Sequence, residues 1–335
     1  TKLTPKAVEL SGKATDPVSA YLDLDQIVSI AKENECEFVH PGYGFLSENA
    51  VFAKKCSEQG IEFIGPEHRV LKLFGDKVQA RQLAESLSIP TIPGSKDALD
   101  SIGAAKEVAQ EIGYPIMLKA SSGGGGRGMR AVTNEKEMEE AFERCASEAK
   151  SSFGDERLFL EKLIERPRHI EIQILADKHG DIIHLFERDC SIQERNQKVI
   201  EIAPAPNLDP TLLDQLYKDA KNIAKETGYT NAGTVEFLVT PETGEYFFIE
   251  CNPRIQVEHT ITEEITGVDL VETQFRISLG ETLTSMNLDK FNENKRPSSF
   301  AIQARVVSKG NGTLLSYREP SGPGVRVDSA AYPGL

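Results

Sequence analysis

The chain has 335 residues, with 38 basic and 52 acidic side chains and a net charge of −14. That length allows roughly two domains with substantial cores, and 39% hydrophobic with 27% charged residues excludes whole-chain disorder. An acidic surface repels polyanions, which excludes a general nucleic-acid or membrane-surface binder, so an anionic ligand has to be captured by a local basic site.

Short β-branched or aromatic runs alternate with longer helical patterns, which predicts α/β architecture. A helix is expected after Asp16-Pro17, through about Glu33. A short strand at 37–40 breaks at the turn Pro41-Gly42-Tyr43-Gly44. Ser47 is expected to cap a helix over 48–59, followed by a strand at 61–64 and a helix over 76–86. The run Ile89-Pro90-Thr91-Ile92-Pro93-Gly94 marks a domain boundary. Beyond it come a strand at 115–119, a glycine-rich loop at 121–128, a strand at 129–132, a helix over 135–150 and a short segment at 158–161. Arg166-Pro167-Arg168 marks a second boundary. Strands at 169–175 and 182–187, a helix over 212–227, a hairpin over 234–251 and a helix over 263–279 complete the reading.

The five cysteines, Cys36, Cys56, Cys145, Cys190 and Cys251, form no CxxC pair and sit by no histidine cluster. They read as reduced thiols of an intracellular protein. No apolar run approaches the roughly 20 residues of a membrane span. The opening Thr1-Lys2-Leu3 and the closing Tyr332-Pro333-Gly334-Leu335 suggest an excerpt of a longer chain.

Two features carry chemistry. The loop Ser121-Ser122-Gly123-Gly124-Gly125-Gly126-Arg127-Gly128 follows a strand ending in Lys119. Its glycines let backbone N–H groups approach a polyphosphate, and Lys119 adds a point charge. A flexible linker is the weaker reading, because linkers rarely sit between two short strands with a lysine at the mouth. The loop lacks the GK[ST] ending of a P-loop, and a strand rather than a helix follows it.

The second feature is the hairpin of 234–239 and 245–250 joined by Pro241-Glu242-Thr243-Gly244. A three-residue loop at 242–244 puts Glu236 opposite Glu250. Two carboxylates across a ladder repel, and a divalent cation turns the pair into a ligand set. If the chain stays extended, Glu250, Asn252, Arg254, Gln256 and Glu258 project on one side, with Cys251, Pro253, Ile255 and Val257 on the other. Such a face suits a metal, an anion and a base in sequence; a solvated strand face is the plainer alternative. Lys77, His169, Lys198 and Arg326 are unremarkable taken singly, and Arg326 is expected on a strand after a glycine turn.

Together these pieces resemble an ATP-grasp enzyme, specifically the biotin carboxylase component of biotin-dependent carboxylases. The resemblance runs from about Tyr21 to the last residue. It rests on His40-Pro41-Gly42-Tyr43-Gly44-Phe45-Leu46-Ser47-Glu48-Asn49, Gly75-Asp76-Lys77, Lys119-Ala120-Ser121 with the glycine loop, and Pro167-Arg168-His169-Ile170-Glu171. The most specific pieces are Glu187-Arg188-Asp189-Cys190-Ser191-Ile192-Gln193 and Asn252-Pro253-Arg254-Ile255-Gln256-Val257-Glu258-His259. It implies an α/β (α+β) ATP-grasp fold with a partial N-terminal α/β lobe over 1–92, a glycine-loop lid over 93–165, and a core with a truncated C-terminal mixed-sheet lobe over 166–335.

The resemblance also implies roles. Lys77, Lys119, Gly123, Gly124, Gly125, Gly126 and Gly128 would hold ATP phosphates, Glu161 and Lys162 would lie near the adenine, and His169 near the ribose. Lys198 would contact phosphate with Gln193 nearby. Glu236, Glu250 and Asn252 would surround Mg²⁺ or Mn²⁺. Arg254, Gln256 and the Val257 backbone would hold bicarbonate, Glu258 would be the general base, and Arg326 would stabilise the biotin enolate. Where the family carries two arginines and a histidine, this chain has Glu194-Arg195-Asn196. The segments 304–312 and 320–328 look most like large single-chain acyl-CoA carboxylases, with pyruvate carboxylase next.

The implied activity is ATP-dependent carboxylation of biotin by bicarbonate through carboxyphosphate, with biotin carried on another domain. Alternatives are another ATP-grasp carboxylate–amine ligase or a catalytically impaired ATP-binding fragment. Expected partners are biotin carboxyl carrier and carboxyltransferase domains on the same full-length chain and further copies in a homo-oligomer, with no nucleic acid and no membrane. The expected location is cytoplasmic, with a mitochondrial one left open.

Overall fold

The computed structural model describes residues 6–12, 17–95, 97–121, 128–293, 296–308, 310 and 312–334. The chain divides into two units, Thr1–Ala304 and Arg305–Leu335.

The first unit opens with helix α1 (Leu24–Glu33), capped by Asp23, whose carboxylate accepts from Gln26 N at 3.0 Å. Strand β1 (Phe38–Val39) pairs parallel with β2 (Glu62–Phe63) around helix α2 (Ala50–Glu58). Asn49, not Ser47, caps α2, accepting from Phe52 N at 2.9 Å. Ser47 is buried instead. Helices α3 (His68–Gly75) and α4 (Lys77–Ser86) meet at Asp76, which ends one and caps the other by accepting from Val78 N and Gln79 N. The cap makes Lys77 the first residue of α4.

A three-stranded antiparallel sheet follows, in the order β4 (Met129–Val132), β3 (Ile116–Ala120), β5 (Leu158–Lys162). Helices α5 (Ile102–Ile112) and α6 (Met138–Phe153) pack on one face, where Ile116, Leu118, Val132 and Leu160 are buried with Ala105, Ala109 and Cys145. Alternation along the strands sends Lys119 and Phe159, and Met117 and Glu161, to the other face as cross-strand pairs. The glycines Gly123, Gly124, Gly125 and Gly126 lie outside the described residues.

The large sheet has six antiparallel strands in the order β10 (Tyr246–Asn252), β9 (Asn231–Val239), β6 (Arg168–Ala176), β7 (Ile182–Glu194), β8 (Gln197–Ala203), β11 (Ala301–Ala304). Helix α7 (Pro210–Thr227) packs over Ile170, Ile172, Ile174, Val235 and Phe237 on one face. The opposite face carries the polar alternates, and these build the site. The expected single helix over 263–279 is two, α8 (His259–Thr266) and α9 (Leu270–Ser278). Gly267 at φ +70° ends the first, and Asp269 caps the second by accepting from Glu272 N at 2.8 Å. The extended run expected through Glu258 stops at Asn252, because Pro253 has no N–H for the ladder; the chain then turns, with Arg254 N donating to Asn252 O at 2.9 Å.

In the second unit the described residues form no regular strand, so Arg326 is not on one. Its Nε lies 2.8 Å from Asp328 Oδ2. Tyr317 donates to Ser329 Oγ at 2.7 Å, and Gly334 N to Leu314 O at 2.8 Å.

Candidate active site

The cross-strand register explains why the site forms where it does. Glu171 on β6 is opposite Glu236 on β9, and Glu236 is opposite Glu250 on β10. Arg188 on β7 is opposite Glu171. Partners across a ladder share a face, so three carboxylates and a guanidinium line up across four strands on the side away from α7. The carboxylate pair expected at 236 and 250 is therefore present. Asn252 bridges it, with Nδ2 2.9 Å from Glu236 Oε1 and 3.5 Å from Glu250 Oε1.

Lys198 on β8 reaches into this row. Its ammonium donates to Glu236 Oε1 and Glu258 Oε1, each at 2.8 Å, and to Glu171 Oε2. Burial works against charge on this lysine, but the three carboxylates outweigh it and hold its pKa well above the ordinary value. Burial likewise opposes ionisation of Glu236, yet Lys198 and His169 hold its carboxyl well below the usual range. His169 Nε2 lies 2.6 Å from Glu236 Oε2. Its pKa is raised, burial being outweighed by that carboxylate. Gln193 sits against the other ring nitrogen, at 3.2 Å.

Although the strand stops short, the turn still delivers the predicted groups. Gln256 Nε2 donates to Glu236 Oε1 at 3.0 Å, and Glu258 meets Lys198. Arg254 points its Nε at Glu48 Oε1, 2.9 Å away, and its Nη2 lies 3.3 Å from Asn252 Oδ1. Val257 is half-buried in the same turn.

A cleft adjoins this row, lined by Lys77, Arg81, Lys119, Phe159, Glu161 and Phe248. Lys77 at the start of α4 donates to Glu250 Oε2 at 3.2 Å. Burial disfavours its charge, but Glu250 raises its pKa, and Lys77 in turn holds Glu250 below its usual value. Lys119 pairs with Glu161, lies 5.6 Å from the centre of the Phe159 ring, and Arg81 Nη1 is 3.7 Å from Glu161 Oε1. The cleft thus combines three cations with two aromatic faces, which suits a phosphorylated, ring-bearing ligand. Lys162 does not join it: its ammonium donates to the carbonyls of Gly113 at 3.1 Å and Tyr114 at 3.0 Å. Gly128, at φ +65°, closes the base of the glycine loop, its carbonyl accepting from Ala120 N at 2.9 Å and from the Cys145 thiol at 3.1 Å.

Glu236 and Glu250 supply the carboxylate oxygens a hard divalent ion such as Mg²⁺ or Mn²⁺ takes, while Asn252 turns its Nδ2 toward both of them and its Oδ1 toward Arg254. Among the described residues, ligand atoms of His169, Glu171 and Glu236 also lie within 4.8 Å of one another, as do those of Glu171, Cys190 and Glu258. Reading the sequence gave no role to Glu171, Arg188 or Glu48, although all three fell in motifs it singled out. The period-two alternation of His169, Glu171 and Gln173 facing Glu236 was the available signal for Glu171. The departure at 194–196 falls at the exposed β7–β8 turn, where Arg195 and Asn196 have φ of 51° and 62°.

Residues 76–286, more than half of the chain, match the family described as carbamoyl-phosphate synthase L chain, ATP binding domain, and residues 1–71 match the biotin carboxylase N-terminal domain. The pyruvate carboxylase of Bacillus subtilis is 51% identical over 96% of this chain, and the mitochondrial pyruvate carboxylase of Rattus norvegicus 49% identical over the same share. The chain spans 28% of the length of each. Among solved structures, the biotin carboxylase domain dimer of the Hydrogenobacter thermophilus 2-oxoglutarate carboxylase, in complex with MgADP, ADP and bicarbonate, aligns with a TM-score of 0.91 at 45% identity. That alignment covers 96% of this chain and 72% of that one. Among the described residues, no helix is long and apolar enough to cross a membrane.

Proposed function

The chain belongs to the biotin carboxylase family of ATP-grasp enzymes, and on that premise we propose that it carboxylates the ureido nitrogen of biotin with bicarbonate at the expense of ATP. The observation that carries the reading is the convergence of Lys198, Glu236, Gln256 and Glu258 beside a cleft lined by Lys77 and Lys119. Bicarbonate is a poor electrophile. Its oxygen attacks the γ-phosphorus of ATP, ADP leaves, and the carboxyphosphate formed breaks down to CO₂ and phosphate. The released phosphate takes the proton of the ureido N–H, and the nitrogen so freed attacks CO₂.

Lys77, Lys119 and Gly128, with Gly123–Gly126, hold the phosphates, and Lys198 bears on the transferred group. Glu161, Lys162 and His169 serve the nucleoside end and Gln193 supports His169; Lys162 does so through its strand, since its ammonium braces Gly113 and Tyr114. Arg254, Gln256 and the Val257 backbone hold bicarbonate, and Glu258 takes its proton. Arg326 is assigned to the enolate oxygen, which a cation stabilises. Glu236, Glu250 and Asn252 would hold Mg²⁺ or Mn²⁺, which supplies charge neutralisation and alignment for phosphoryl transfer.

We read residues 1–92, 93–165 and 166–335 as three lobes, the middle one being a lid that shields carboxyphosphate from water. The whole protein pairs this chain with biotin carrier and carboxyltransferase domains and forms homo-oligomers. The relatives act on 2-oxo acids by name, which favours such an acceptor over an acyl-CoA. Cytoplasm or mitochondrion suits a carboxylase of this kind. The test is ATP cleavage by the full-length protein, which is expected to need bicarbonate and to rise with free biotin. Equal ATP cleavage with bicarbonate stripped away rejects the reading.

A further inference from the structure

Arg188 is the largest fully buried side chain of the described residues, at 0% exposure. A guanidinium has five N–H donors and no acceptor, and here every one is used. Nε donates to Glu171 Oε1. Nη1 donates to Gln173 Oε1 at 2.7 Å and Thr262 Oγ1 at 2.9 Å, and Nη2 to Thr234 Oγ1 at 3.1 Å and Gln256 Oε1 at 2.9 Å. These bonds join β6, β9 and α8 to the turn that carries Gln256.

The bond to Gln256 decides which way that amide faces. On one side stands Arg188, which only donates; on the other stands the ionised carboxylate of Glu236, which only accepts. A single orientation satisfies both, with Oε1 toward Arg188 and Nε2 toward Glu236 at 3.0 Å. The reversed amide would set an oxygen against a carboxylate and leave an N–H against a guanidinium. Buried polar groups left unmatched in this way are strongly disfavoured. The same guanidinium holds Glu171, whose other oxygen accepts from Lys198.

We propose that Arg188 is a positioning residue for the anion pocket, fixing the Gln256 amide so that its N–H₂ end is presented to bicarbonate, while never touching substrate itself. This rests on the proposed carboxylation, in which Gln256 holds bicarbonate. A lysine in place of Arg188 has three donors on one atom and cannot span Gln256, Thr234 and Glu171 together.

The test measures the bicarbonate KM, the ATP KM and kcat of bicarbonate-dependent ATP cleavage in the full-length protein, for Arg188→Lys, Gln256→Leu and the double variant. Arg188→Lys should raise the bicarbonate KM roughly 10- to 100-fold, the worth of a hydrogen bond to a charged group. The ATP KM should move by less than about threefold, since no nucleotide group is reoriented. In the double variant the bicarbonate KM should match that of Gln256→Leu, because Arg188 acts through that amide. Multiplying effects, or a rise shared equally with ATP, would mean that Arg188 only holds the fold together, and an unchanged bicarbonate KM also overturns the role. Should Arg188→Lys not fold, Thr262→Val decides. It removes one acceptor on α8 and should raise the bicarbonate KM about two- to tenfold with the ATP KM unmoved; no rise overturns the role. Wild-type ATP cleavage that ignores bicarbonate fails the parent reading instead, and this one with it.

Discussion

Replacing Lys198 with Met tests the electrostatic core of the site. The substitution keeps most of the aliphatic stem and removes the ammonium that donates to Glu171, Glu236 and Glu258. Arg188 still covers Glu171 and His169 still covers Glu236, but two nearly buried carboxylates lose a bond at 2.8 Å. Removing one partner of a buried pair leaves the remaining charge less well compensated, at a cost of up to about 3–5 kcal/mol. The loss should depend on pH, and the direction follows from which groups titrate. In the wild type Glu236 is held well below its usual pKa, so its contribution is complete above the unfolded value and fades only as pH falls through the folded one. Lys198 is held well above its usual value, so its contribution fades only as pH rises through that folded value. Between about pH 5 and 10 the Lys198–Glu236 pair therefore adds no pH dependence of its own, while His169, held above its usual value by Glu236, adds stability at low pH in wild type and variant alike.

In the variant the same carboxylates, desolvated and without the ammonium, shift upward and take up protons on folding. The variant should therefore regain stability on acidification. Hydrogen exchange of the β6 and β9 amides in the full-length protein reports the opening free energy locally. We expect a deficit of about 3–5 kcal/mol at pH 8 that shrinks to less than about half by pH 5.5. A deficit that stays constant over that range would refute the claim that uncompensated carboxylates are its source. A deficit below about 0.5 kcal/mol would show that Lys198 behaves like an exposed pair.

Three further outcomes are expected. Glu258→Gln should lower biotin carboxylation about 10²–10⁴-fold, with nucleotide affinity, read by a fluorescent ATP analogue, changed by less than about threefold; unchanged carboxylation removes Glu258 as the base. Gly94→Ala should destabilise the contact of residues 93–95 with β5 by about 1–3 kcal/mol by hydrogen exchange, because a Cβ there would stand 2.5 Å from Leu160 O, a backbone atom that cannot swing aside; equal protection in the two proteins contradicts this. Adding Mg²⁺ with ADP should slow exchange in β10 more than ADP with a chelator does, because Glu250 and Asn252 end that strand; identical protection would speak against Glu236, Glu250 and Asn252 as the ligand set.

The legibility of the fold followed local patterning. The hairpin of β9 and β10 was readable because alternating aromatic and β-branched runs flank a Pro-Glu-Thr-Gly turn, but the three-residue loop was not: Val239 pairs with Tyr246, one residue off the expected register, and a bulge between Phe248 and Glu250 is what brings Glu250 opposite Glu236. Helix α7 was readable from its apolar spacing, and Asp209 with Pro210 refines its start. Helix α3 was not read, because its eight residues are too few to establish a period. Helix α5 was missed because Ala105 and Ala109 supply its buried face without large apolar side chains. Strand β11 was not read, because its four residues alternate half-buried and exposed with the apolar Ile302 on the exposed side, at the edge of the sheet. At the site, Glu236, Glu250 and Glu258 were legible as acids in a pattern. Arg188 was not, since nothing in the order Glu187-Arg188-Asp189 says that the middle residue alone is fully buried. That fact comes from the pairing of β6 with β7, which a single strand cannot reveal.

The net charge of −14 takes on a definite meaning at the cleft. Each cation proposed to meet phosphate or bicarbonate is already engaged by a carboxylate: Lys77 by Glu250, Lys119 by Glu161, Arg254 by Glu48, and Lys198 by three at once. These cations do not project an unbalanced positive field into solvent, so long-range attraction contributes little to capture. On the proposed reading an entering polyanion would instead take the place of these carboxylates. Glu250 and Glu161 hold the ammonium groups of Lys77 and Lys119 at the cleft by ion pairing. On the proposed reading the acidic excess and the anion site are parts of one design: the carboxylates hold the geometry, and nucleotide binding would exchange one anion for another without building the positive cluster afresh.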